Sequence, residues 1–289
     1  MERELYRVVC EALGRIVVIR NSQETYTTHD VVRVLLWAVV HDRPVYWACQ
    51  RRHWPLEAWR KTLISQSQMS RRLRTFAVHQ VLTQLESALR DGLPRGFLKY
   101  LDGKPLPVGG CSKDRDAKFG RGAATIQRGY KIVCAVDQHG CVDSWRLGAM
   151  NVPEHDQALV LLEQMPWSMY VVGDNAYDKT TLYERACQRG MCLVGAFKQH
   201  AKAPGHRRQL PQRVHAMEMQ QRPFGQNLLR RRWDVERSYG NLTSFAGGLG
   251  PLPAWVRTPH RVAVWVSAKM ILDLARRIRL HKAKNSGGA

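Results

Sequence analysis

Apolar positions recur at helical spacing through residues 1–92. "THDVVRVLLWAVVHD" carries a dense apolar stripe behind Thr28, and "VHQVLTQLESALRDG" stops at Gly92, a common helix terminator. Between them, "PLEAWRKTLISQSQMSRRLRT" predicts a short helix, a break near Ile64 to Gln66, and a second helix opening on small polar residues. "DGLPRG", Asp91 to Gly96, interrupts this pattern, and the period then changes. "FLKYLDGK" reads as a strand running into a turn, and "KIVCAVD" and "CVDSWRLG" flank "QHG" as a hairpin. After Pro153, "EHDQALVLLEQM" is an amphipathic helix and "MYVVGD" a short buried strand. "DKTTLYERACQRG" is a helix closed by Gly190, "MCLVGAF" a further buried strand, and a last helix spans about Gln226 to Phe245.

Three strands followed by helix, strand, helix, strand, helix predict an α/β domain, an RNase H-like mixed sheet flanked by helices. The expected organisation is an N-terminal all-helical DNA-binding region over 1–92 and a catalytic domain over 93–289. The latter would hold a basic loop, a C-terminal helix and a disordered tail, "KAKNSGGA".

Charge sharpens the picture. The 289 residues include 45 basic and 24 acidic side chains, a formal net charge of +21, which points to a polyanionic partner and first of all to double-stranded DNA. Read as a helix-turn-helix, the second short helix would place polar residues such as Gln68 at base edges and Arg71, Arg72 and Arg74 at phosphates. A solvated basic helix face accounts for the same residues, and both readings stand. From Lys198 to Arg232 there are nine basic residues against one acid, Glu218. Arg207, Arg208, Arg230, Arg231 and Arg232 are the expected phosphate contacts there. Residues 113–131, with Lys118, Arg121 and Lys131, are also basic and contain glycine, which suits close approach to a phosphate backbone.

Other classes fall away. Seven cysteines without a C-x-x-C pair read as reduced thiols rather than a zinc site. No apolar run approaches the ~20 residues of a membrane span. The start lacks the features of a secretory signal, so the expected location is cytoplasmic, at the nucleoid when DNA is bound.

Three acids occupy suggestive places: Asp102 at the end of the first strand, Asp174 at the end of the fourth, and Glu236 on the last helix. Neighbouring first and fourth strands, with that helix packed on them, would bring the three together. Like charges so close need cations, and hard oxygen ligands suit two Mg²⁺ (or Mn²⁺) ions about 3.5–4 Å apart, which can drive phosphodiester chemistry. Each acid also has an ordinary explanation. Asp102 can make an Asp-Gly turn, and Asp174 can cap a helix, although Asp178 or Thr180 is better placed to do so. Glu236 can pair with Arg232, and Asp234 with Arg230, for about 0.2–0.5 kcal/mol per pair. Asp234 and Glu236 point about 200° apart on a helix, so only one of them is expected at the site.

"DGKPLPVGG", "SKDRDAKFGRG", "RGYKIVCAVD", "VVGDNAYD" and "RRRWDVERSYGNLTSFAGGLGPLPAWVR" come in an order that resembles bacterial insertion-sequence transposases of the DDE type. The resemblance implies an RNase H-like core and two Mg²⁺ or Mn²⁺ ions. It implies strand cleavage at terminal inverted repeats, attack of the freed 3′-OH on target DNA, and a homo-oligomer in the synaptic complex. It makes Asp102, Asp174 and Glu236 the catalytic, metal-holding acids and Arg232 the arginine of a tyrosine, arginine, glutamate, lysine signature. The chain departs from that signature at Leu229 and Thr243, where tyrosine and lysine are expected. The interval from Asp174 to Glu236 is also too short for the β-rich insertion of some relatives. Two alternatives remain open at this point: a DNA-binding protein of transposase descent without catalysis, and another RNase H-like DNA nuclease.

Overall fold

The computed structural model describes residues 2–18, 24–55, 62–122, 125–197, 210–245 and 247–286. In chain order its elements begin with helices α1 (Glu2–Leu13), α2 (Thr28–Val40), α3 (Val45–Ala48), α4 (Gln66–Arg72) and α5 (Phe76–Asp91). Strands β1 (Leu98–Pro107), β2 (Lys118–Arg121), β3 (Ile126–Asp137) and β4 (Val142–Ala149) follow. Then come α6 (Glu154–Gln164), β5 (Tyr170–Gly173), α7 (Thr180–Gln188), β6 (Cys192–Gly195), α8 (Pro211–Gln221), α9 (Pro223–Arg230), α10 (Trp233–Thr243) and α11 (Pro259–Ser286). The chain divides into a helical unit, Met1–Leu93 with Leu242–Gly250 and Trp255–Ala289, and a sheet unit, Pro94–Asn241 with Pro251–Ala254.

In the helical unit α2 is buried over most of its length. Thr27 and Asp30 close a capping box at its start, each side chain accepting the other's backbone N–H at 3.1 and 2.9 Å. Trp37 stacks on Trp54 with ring centroids 5.0 Å apart and meets the Tyr6 ring at 4.9 Å. The C-terminal helix, expected within the catalytic domain, belongs to this unit: α11 packs on α1, α2 and α5. Residues 282–286 of the segment expected as a disordered tail continue it as helix, and 287–289 lie outside the described residues. Asp273, buried in α11, is gripped by Arg276 at 2.8 Å and Arg277 at 2.6 Å.

The second helix of the expected helix-turn-helix is present as α4, capped by Ser65, whose hydroxyl accepts the Gln68 N–H. The first falls largely on residues 56–61, outside the described residues.

The sheet runs β2-β3-β1-β5-β6, with β4 also paired to β3. β1 is antiparallel to β3 and parallel to β5, and β5 is parallel to β6. The first and fourth expected strands, β1 and β5, are therefore neighbours. β2 was not expected; "KFGR" pairs with β3 because Gly120 lets its backbone lie against Met150, whose carbonyl a Cβ would strike. The β3–β4 turn has Gly140 at φ 78°, and Asp137 Oδ1 accepts the N–H groups of His139 and Cys141 at 2.9 Å each. One face of the sheet, through Leu101, Val133, Val171 and Leu193, packs on α6 and α7 residues including Leu161, Leu162 and Leu182. The last expected helix is two: α9 and α10 are separated at Arg231 and Arg232, where backbone bonds to residues three back (Arg232 N to Leu229 O, 3.1 Å) replace the helical register.

Candidate active site

Parallel pairing of β1 with β5 sets the level of the two aspartates. Tyr100 is in register with Val172, so Asp102 and Asp174, each two residues further on, reach the same height on adjacent strands. Asp174 directly follows β5, but Asp102, expected at a strand end, lies mid-strand, because β1 stays paired to β3 as far as Pro107. Asp174 terminates its strand in a turn: its Oδ1 accepts the Ala176 N–H at 2.8 Å, and its carbonyl accepts the Tyr177 N–H at 3.1 Å. It is not a helix cap. Neither is Asp178, which instead makes a two-point pair with Arg213, both bonds 2.8 Å.

Asp102 is only partly exposed, and its pKa is raised to about 6, first because burial disfavours the charged form. The Arg232 guanidinium and the Gly103 N–H oppose that rise, while the Glu154 and Asp174 carboxylates add to it. Two aspartates and Glu154 thus share a neighbourhood whose negative charge Arg232 offsets only in part. The largest charge acting on Asp102 is Arg232, which puts the start of α10 beside the site. Further along α10 the Tyr239 hydroxyl donates to the Asp102 carbonyl at 2.7 Å. Lys104, two residues beyond Asp102, sits 5.7 Å over the Tyr239 ring, and burial lowers its pKa.

The folded pKa of Asp102 lies above its ordinary 3.8. Below about pH 4 the carboxyl is protonated folded or unfolded; between about pH 4 and 6 the folded state holds the proton more tightly, so stability falls as pH rises through this window. Asp102→Asn in metal-free buffer is expected to remove that decline, read as urea midpoints across the window; an unchanged slope refutes the assignment.

Glu236 was the third acid expected at the site. It lies on the exposed face of α10, whose buried face is Val235, Ser238, Tyr239 and Leu242. Among the described residues no three His, Cys, Asp or Glu side chains are gathered as a metal-holding group. Asp102, Asp174 and Glu236 are thus not gathered into such a group. The side chain of Asp234 lies outside the described ones.

The basic residues divide. Arg71, Arg74, Lys118, Arg121, Arg230 and Arg231 are exposed, Lys118 with its ammonium donating to the Arg115 carbonyl at 3.1 Å. Gln68 is exposed, but its Oε1 accepts from the Ser65 N–H and hydroxyl at 3.3 and 3.1 Å, which commits it to the α4 cap. Arg72 is turned inward, donating to the Tyr26 carbonyl and the Glu24 carboxylate, both at 3.2 Å. Lys131, expected at phosphate, is buried on β3 with its ammonium 2.8 Å from Glu154 Oε1. Arg207 and Arg208 lie outside the described residues. The stretch around 113–121 is tied down: Arg128 holds the carbonyls of Ser112, Asp114 and Ala117, and the Tyr130 hydroxyl donates to buried Asp114 at 2.9 Å.

Sequence reasoning missed Glu154 and Lys104. The available signal for Glu154 was Lys131 itself, a cation inside an otherwise apolar strand, which demands a buried acidic partner.

Asp102 within β1 and Asp174 after β5 thus stand at one level of a mixed α/β sheet, with Arg232 the strongest opposing charge on Asp102. Residues 100–249, just over half of the chain, match the transposase DDE domain family, and the chain belongs to that family. It also resembles a solved piggyBac transposase, determined by cryo-EM as a synaptic complex with hairpin DNA. That likeness has 9% identity and a TM-score of 0.47, over 99% of this chain and 73% of that one. No curated protein matches the sequence. Among the described residues no helix is long and apolar enough to cross a membrane.

Proposed function

We propose that this transposase binds the inverted repeats at the ends of an insertion sequence, cuts the DNA there with Mg²⁺ or Mn²⁺, and transfers the 3′-OH ends into target DNA. The observation that carries this reading is the level pair Asp102 and Asp174, one of them with a pKa held near 6 by burial beside further carboxylates. Such a pair is stabilised by a cation. Mg²⁺ is commonly held by one or two carboxylates, with waters and substrate phosphates completing its shell, so these residues fit it. When bound, the metal would activate the attacking oxygen and steady the leaving one. Asp102 and Asp174 are the ligands in this reading. Glu236, one turn after Arg232, is the third acid, and Arg232 offsets charge at Asp102 or grips phosphate. Arg71, Arg74, Lys118, Arg121, Arg230 and Arg231 are the proposed phosphate contacts, and synapsis of two ends calls for a homo-oligomer.

One observation favours a second reading, a DNA-binding protein of transposase descent without catalysis: among the described residues the third acid is not gathered with the other two. The two readings part in one assay. Purified protein and DNA containing the coding region's flanking repeats are incubated with Mg²⁺ or Mn²⁺. Cuts at the repeat ends support the transposase; tight binding without metal-dependent cutting overturns it in favour of the second reading. Structure-selective cutting indifferent to the repeats would instead identify a general nuclease.

A further inference from the structure

We propose that Glu154 is a positioning residue of this site, locking the stretch of β1 that carries Asp102 to the turn that carries Asp174. The role rests on the metal-dependent reading above.

Each aspartate has a glycine for a neighbour, Gly103 after Asp102 and Gly173 before Asp174, and the place of each missing side chain is filled. At Gly103 the Glu154 carboxylate lies so close that a Cβ would stand 2.5 Å from its Cδ. At Gly173 Tyr177 does the same, 2.8 Å from its Cβ. The two fillers are joined, since the Tyr177 hydroxyl donates to Glu154 Oε2 at 3.2 Å. Tyr177 in turn closes the Asp174 turn through its own N–H. The other oxygen of Glu154, Oε1, takes Lys131 from β3 at 2.8 Å. A continuous link therefore runs from β3 through Glu154 and Tyr177, touching the backbone beside both aspartates.

Both Glu154 oxygens are engaged within the protein, which makes it a support rather than a ligand. Lys131 pairs with it at 2.8 Å, so the pair is neutral as a whole, although of the two charges it is the Glu154 carboxylate that acts on Asp102. Buried ion pairs are poor sources of stability, and their better-supported use is to fix geometry. Metal ligands need that geometry held to about 0.5 Å, and loss of a residue supporting a ligand typically weakens metal affinity about 10–100-fold.

The test is Mn²⁺ binding by the full-length protein, read by electron paramagnetic resonance of the free ion, with melting temperature measured in parallel. Lys131→Met/Glu154→Ala removes a net-neutral pair and so leaves the long-range field unchanged. It is expected to bind Mn²⁺ about 10–100-fold more weakly while still melting cooperatively. Lys131→Met/Glu154→Gln restores an acceptor for Tyr177 and is expected to recover most of that loss. Tyr177→Phe removes only the hydroxyl; it is expected to weaken Mn²⁺ severalfold and covers the case in which the double variant does not fold. Wild-type Mn²⁺ affinity in the folded double variant, or in Tyr177→Phe if the double variant fails to fold, overturns the role. Binding that needs Asp102 and Asp174 but ignores Glu154 overturns this inference alone. A wild-type protein that takes up no Mn²⁺, or whose uptake survives Asp102→Asn and Asp174→Asn, overturns the metal reading and this role with it.

Discussion

Asp174→Asn is expected to lower metal-dependent cutting at the repeat ends by roughly 10³-fold or more, the scale of losses when a group acting in the transition state is removed. The substitution is close to isosteric. Its amide oxygen can still accept the Ala176 N–H that Asp174 Oδ1 now accepts at 2.8 Å, so the turn after β5 keeps its closure. What is lost is one full negative charge at the level of Asp102. That loss also removes one of the carboxylates raising the Asp102 pKa, so Asp102 should titrate nearer its ordinary range. DNA affinity should hold or rise, because the change removes a repulsion toward phosphate. Cutting followed on labelled repeat DNA, with anisotropy for binding, separates the two effects. Activity within tenfold of wild type, with binding intact, would remove Asp174 from the catalytic set. The same pair of measurements on Glu236→Gln decides whether the exposed acid of α10 belongs to that set.

The part of this site that was legible in the sequence is the part encoded locally. "YLDGK" and "YVVGDN" each show an apolar run reaching an aspartate beside a glycine, and the expected RNase H-like arrangement makes the two strands neighbours, as they are. Only the second ends there, since β1 runs on to Pro107. The run of helices and strands follows from periodicity in the same way. What was not legible depends on which way a side chain turns. Lys131 counts toward the positive charge in composition, yet strand alternation aims it inward at Glu154. Arg72 likewise looks like a phosphate contact until Tyr26 and Glu24 are found around it. Glu236 was expected at the site on the last helix, with Arg232 one turn earlier on the same face, but it is exposed. The break at Arg231 and Arg232 starts a fresh helix whose buried stripe passes through Val235 and Tyr239 instead. The place of α11 was hidden for a different reason: its apolar face fits any helical partner, and only the folded chain shows that its partners are α1, α2 and α5.

Lys99→Met is expected to destabilise the sheet unit by about 3–5 kcal/mol, the usual cost of stranding a buried charge. Lys99 on β1 and Asp143 on β4 flank β3, their side chains each 1% exposed, with Nζ 3.0 Å from Oδ2. The same ammonium donates to the Pro166 carbonyl at 2.6 Å, so one cation ties both β4 and the approach to β5 to the strand bearing Asp102. Asp143 occupies the irregular step in the β3–β4 ladder, where the partner of Ala135 is Ser144 and that of Val136 is Val142. A methionine fills the same space but removes the cation 3.0 Å from the buried Asp143 carboxylate. For a unit of this size the loss corresponds to a fall in melting temperature of about 6–20 °C. Lys99→Met/Asp143→Leu removes both charges and should regain most of it, because a buried pair contributes little net stability compared with apolar packing. Calorimetry on the two variants checks both statements. A single variant as stable as wild type would show that the Lys99 ammonium is not what holds the Asp143 carboxylate. A double variant as unstable as the single one would show that the loss came from the Pro166 contact and packing rather than from charge.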